Sequence, residues 1–152
     1  MNDVELTRAL ERGEIANETF RHGLHLHVAW VYLSESASVD QASAKMRDTL
    51  RRVTASAGKP EKYHETITLF WVHLLALARE AASGESLEKL VETNPRLLEK
   101  NFPLAYYSRE RLFSDEARHS WLEPDLKPLC VDNGIASCSS SSPGNAPDRF
   151  IP

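Results

Sequence analysis

Residues 62–78, KYHETITLFWVHLLALA, are the most apolar run of the chain, and the run opens on polar groups. Its periodicity is helical. Tyr63, Ile67, Phe70, Leu74 and Leu77 make one apolar stripe, and His64, Thr68, Trp71, Leu75 and Ala78 make the adjacent one. Two neighbouring apolar stripes require a helix packed on more than one side. The apolar part, Ile67 to Ala78, is 12 residues and contains His73, so it falls short of the ~20 residues that cross a bilayer. The reading is a buried helix with His64, Glu65, Thr66 and Thr68 in its first two turns, His64 and Thr68 facing inward and Glu65 ~100° away, nearer the boundary of the buried arc.

Working outward, Pro60 is expected at the first position of this fourth helix and Gly84 just beyond its end. A short first helix is expected over Val4 to Arg12, stopped by Gly13. Asn17 can cap a second helix that runs to about Ser34. Ser38 or Asp40 can start a third that ends near Gly58, with a basic, solvated outer face. Past Gly84 the helices shorten, with one over Ser86 to Thr93 and another from Asn94-Pro95 that Pro103 interrupts. The last is capped by Ser114 and runs through DEARHSWL. Strand-type alternation of β-branched residues is missing. The fold class expected is all-α, a compact bundle of about five to seven helices with the second and fourth at its centre. Residues 1–128 form the single domain in this reading, and 129–152, rich in Ser, Gly and Pro, a disordered tail.

Bulk properties narrow the function. At 152 residues the chain has room for one core, and a net charge of −4 gives no electrostatic case for nucleic acid. The amino-terminal MNDVELTRALERGE is charged where a signal peptide needs an apolar stretch, so a cytoplasmic protein with no membrane partner is expected. The two cysteines, Cys130 and Cys138, form no CxxC motif and read as bystanders.

Histidine placement is the one feature that suggests chemistry. On the second helix Glu18, His22, His25 and Ala29 share a stripe, while His27 points away from it. A buried imidazole needs a partner, and the simplest solution sets His22 and His25 opposite His64, with Glu65 or Glu18 beside them. Three converging imidazoles suit iron, copper or zinc. Glu65 is then a fourth ligand or general base, and Tyr106 a proton donor. Tyr63, Thr68, Trp30, Trp71 and Arg109 orient a small-molecule substrate. Two alternatives stay open: a metal-free His/Glu acid–base enzyme, and a non-catalytic helical module that binds a ligand or protein. Sharper motifs fail. Thr68 replaces the second histidine of a His-Glu-x-x-His protease site, and no glycine loop is present to cradle phosphate. Glu-x-x-His occurs at Glu61–His64 and Glu116–His119, without the four long helices of a di-iron bundle. His73 reads as a core residue, and Trp121 as packing.

Taken together, FRHGLHLHVAWVYL, KYHETIT, YYSRERLFSDEAR and WLEPDLKPL resemble a group of small bacterial proteins carried as hypothetical, with FxHxxH, YHETxT and YYS motifs. The resemblance covers about residues 20–129. It implies a shared fold and a shared site at His22, His25, His64 and Glu65, and it implies no particular reaction; His27 falls outside the pattern.

Overall fold

The computed structural model describes residues 2–15, 22–82 and 84–129 and is an all-α bundle, with no strand among those residues. Its helices are α1 (Asp3–Glu11), α2 (His22–Glu35), α3 (Val39–Ser56), α4 (Glu65–Ala81), α5 (Leu87–Thr93), α6 (Arg109–Leu112) and α7 (Asp115–His119). Single 3-10 turns at Pro60–Lys62, Pro95–Leu98 and Phe102–Ala105 join them. The expected Asn17 cap, Glu18, the side chain of His22, Cys130, Cys138 and the tail from residue 130 lie outside the described residues.

The helix boundaries follow local chemistry. Asn2 and Glu5 close a reciprocal capping box on α1. Ser38, Ser86, Ser108 and Ser114 each accept a backbone N–H at the start of a helix. Gly13, Gly58 and Gly84 follow α1, α3 and α4 at φ of 75°, 75° and 87°, where a Cβ would be strained.

Two boundaries differ from the sequence reading. Pro60 heads a separate 3-10 turn, Tyr63 and His64 are extended, and α4 begins only at Glu65. The reason is that the imidazole of His64 serves as the helix cap, a task that requires β-region backbone at that residue. The last helix stops at His119 rather than Leu122. Beyond it the backbone of Ser120 and Leu122 is drawn onto the hydroxyl of Thr66.

α4 packs against α2, α3 and α7. Phe70, Val72, Leu74 and Leu75 are wholly buried on it. Phe70 is the hub of an aromatic cluster, with ring centroids 5.3 Å from Trp71, 5.3 Å from Tyr106, 6.1 Å from Tyr107 and 6.4 Å from Phe102. The 3-10 turn at Phe102–Ala105 and the two tyrosines after it are thereby drawn under α4.

Phe70→Ala should cost about 3–5 kcal/mol, because the cavity it leaves is ringed by rigid side chains. Against a total stability of ~5–15 kcal/mol that is a large share, readable as a drop in the urea midpoint. A shift typical of a surface substitution would show that the aromatic hub is not the centre of the core.

Candidate functional site

The polar groups at the start of α4 are all engaged. The Nδ1 of His64 accepts the Ile67 N–H at 3.1 Å. That fixes the tautomer, so Nε2 carries the proton and donates it to the carbonyl of Leu112 at 2.8 Å. Burial pushes the imidazole below its ordinary pKa of 6.5. Protonating Nδ1 would set two N–H groups against each other. Thr68 donates to the His64 carbonyl at 2.7 Å.

Glu65 is buried as an ion pair. The Nε of Arg47 approaches both its oxygens, at 3.1 and 3.0 Å, and Nη2 lies 2.8 Å from Oε2. Tyr63 donates its hydroxyl at 2.6 Å, and the Arg51 guanidinium lies over the Tyr63 ring. Burial favours the neutral acid, but the hydrogen bonds from Arg47 and Tyr63 outweigh it and hold the carboxyl below its ordinary range. The position, first in α4, adds the favourable end of the helix dipole. A carboxylate so fixed is a poor proton acceptor. Tyr63 in turn is desolvated and bonded to that carboxylate, which keeps its phenol protonated.

The later motifs close onto this end of α4. Thr66 donates to the Ser120 carbonyl at 2.7 Å and accepts the Leu122 N–H at 3.2 Å. Tyr107 donates to the Leu122 carbonyl, Arg111 to that of Glu123, and Arg118 to those of Glu61 and Tyr63. Ser108 gives both its N–H and its hydroxyl to Asp125. Tyr106 is fully buried, its ring under Lys127 and its carbonyl bonded to the Leu126 N–H. Arg109 is exposed and lies over Phe113. Trp71 packs edge-on to Phe70, and Trp30 lies on α2 under Arg79.

His25 is partly buried on α2. His25, His64 and Glu65 do not form a group with ligand atoms within 4.8 Å of one another. His27, which the sequence reading leaves outside, shares its Nδ1 with Asp3 Oδ2 at 2.8 Å.

Concave surface lies elsewhere on α4. A cleft of about 570 Å³ runs between α4 and residues 121–129, with His73, Leu77, Trp121 and Glu123 among its walls. The His73 ring lies 5.3 Å from that of Trp121 at a tilt of 34°, and Trp121 donates Nε1–H to Glu123. Burial lowers the His73 pKa, and Asp40 and Glu123 oppose the shift. A second cleft of about 500 Å³ lies between α2 and α4, with Trp30, Leu33, Ser36 and Arg79 in its walls. Val39, Ala76 and Glu80 line both, so the two clefts lie side by side along α4 as one concave stretch of surface, a trough. The signal that could have found it is WLEPDLKPL, residues 121–129, in which two prolines among interleaved apolar and charged side chains rule out a continued helix. No family model, curated protein or solved structure matches the chain.

Acid should destabilise the protein in two stages. His64 and His73 have lowered folded pKa values, so the unfolded chain binds protons first and stability falls as pH drops below about 6.5. The Glu65 contribution is present above its ordinary 4.5 and disappears as pH falls through the lower folded value. His64→Asn keeps a cap for Ile67 but loses Leu112; it should cost about 1–2 kcal/mol at neutral pH. It should also flatten the loss of urea midpoint between about pH 7 and pH 5.5. An unchanged slope in that variant would remove His64 from the acid response. Glu65→Gln should cost about 2 kcal/mol at pH 7, moderated because Arg47 is one-third exposed. It should also weaken the lower acid stage; a variant as stable as wild type would show the ion pair to be dispensable.

Proposed function

We propose that the chain is a non-catalytic ligand-binding helical module, with the trough on the outer face of α4 as its site. The carrying observation is the sharing of Val39, Ala76 and Glu80 by the two clefts, which sets them side by side with Trp30 in the wall of one and Trp121 in the wall of the other. Apolar walls with a few orienting polar groups are what small organic molecules bind. Val39, Ala76 and Leu77 offer apolar contact. The imidazole of His73 offers a hydrogen bond, and Glu80, which makes no ion pair among the described residues, offers a charge for an amine. The ligand class that fits is an amphipathic amine with a flat apolar body.

A metal-dependent enzyme centred on His22, His25 and His64 is a weaker reading. Both ring nitrogens of His64 are bonded within the fold, and Glu65 is held by Arg47 and Tyr63. A metal-free mechanism with Glu65 as base meets the same objection.

Saturation-transfer NMR against a set of aromatic amines should yield trough binders that Ala76→Trp abolishes without altering the far-ultraviolet circular dichroism. Trp121→Ala should weaken the same compounds by about tenfold, the loss of one aromatic wall. Binders that ignore both substitutions, or a set with no binder at all, would sink the trough as a ligand site.

A further inference from the structure

We propose that Asp3, His27 and Glu88 form a site for one divalent transition metal ion, with zinc the best match, on the side of α2 that meets α1 and α5. Each residue presents one donor atom, and the three atoms lie within 4.8 Å of one another. The Asp3 Oδ2 and His27 Nδ1 are 2.8 Å apart. Two donors each ~2.1 Å from a shared tetrahedral ion stand about 3.4 Å apart, so this pair, now joined by a hydrogen bond, need open by only ~0.6 Å to admit one. In that geometry every pair of donors stands ~3.4 Å apart, so from a separation of at most 4.8 Å Glu88 need close by no more than ~1.4 Å. Its side chain is exposed and free to turn.

The charge balance supports a cation. Neither carboxylate has a lysine or arginine within 4.0 Å among the described residues, and the one ion pair recorded for Asp3 is with His27 itself. The backbone beneath Asp3 is held by the Asn2–Glu5 capping box, at 2.8 and 3.0 Å, and by the Thr7 hydroxyl on the Asp3 carbonyl. One imidazole with two carboxylate oxygens selects zinc and its neighbours over magnesium or calcium, which take oxygen alone. Three protein donors also leave a coordination position open to water. Bound metal ties α1 to α2 and α5.

The test titrates the full-length, tag-free protein with zinc and with cobalt, following heat and the visible cobalt spectrum. The expected result is one equivalent bound, unaffected by millimolar magnesium. His27→Gln keeps a hydrogen bond to Asp3, and Glu88→Gln alters only an exposed side chain, so both should fold. Each should weaken uptake at least about tenfold. No saturable uptake by the wild type overturns the proposal. So does wild-type affinity in either variant, which would place the metal on other ligands.

Discussion

One imidazole sets the geometry at the centre of this molecule. His64 caps α4 with Nδ1 and, because that nitrogen must then be an acceptor, can only donate from Nε2, which reaches Leu112 at the end of α6. A serine or aspartate at the same place would cap the helix as well but would reach nothing 48 residues away. The start of the central helix and the position of the short helices are therefore one decision. A helix of four residues such as α6 has no stability of its own, and α7 is hardly longer. Both exist because their ends are bonded to the residues that begin α4.

Thr66 repeats this logic two residues further on, donating its hydroxyl to the Ser120 carbonyl and accepting the Leu122 N–H. Arg118 returns from α7 to the carbonyls of Glu61 and Tyr63. The strip 121–129 thus leaves α7 in a fixed direction, along α4. Leu126 and Asp125 are then tied to Tyr106 and Ser108. The trough between that strip and α4 is a consequence of these bonds. Glu65 contributes from the other flank, joining α3 through Arg47 to the same helix end. Such a pair gains little net energy over an apolar substitute, but a broken one leaves a buried charge, so it enforces one arrangement of α3 on α4.

Much of the fold was legible in the sequence. Glycine stops, serine caps and the double apolar stripe of α4 each act within a few residues, and pattern reading captures such short-range effects. The α4 start was misplaced because a histidine is an uncommon cap and Pro60 supplied a more familiar signal three residues upstream of Tyr63. The site was less legible. Periodicity shows that His64 faces inward and Glu65 lies at the edge of the buried arc, and solvation shows that they need partners. Neither shows that the partners are the Leu112 carbonyl and Arg47, separated from them by 48 and 18 residues. A carbonyl carries no sequence signature, and an arginine on an outwardly basic helix looks like solvated charge.

The polar residues that stand out in this sequence and the concave surface of the fold are therefore different things, for a physical reason. A polar group pointed at a core must be satisfied, and the cheapest partner is backbone left bare by short helices and irregular strips. The chain has many such strips after Gly84, and the polar residues of YHETIT, YYSRER and DEAR supply what their backbone lacks. Saturated in this way, His64, Thr66 and Thr68 have nothing to offer a ligand. Polar groups left for recognition must lie where the surrounding backbone already has its partners, and the outer face of α4, a regular helix, meets that condition. His73 sits there within WVHLL, indistinguishable by pattern from a core residue, and becomes a pocket wall only because Trp121 is brought over it. What the conspicuous residues build is the path of the chain; what that path leaves open is the concave surface along α4.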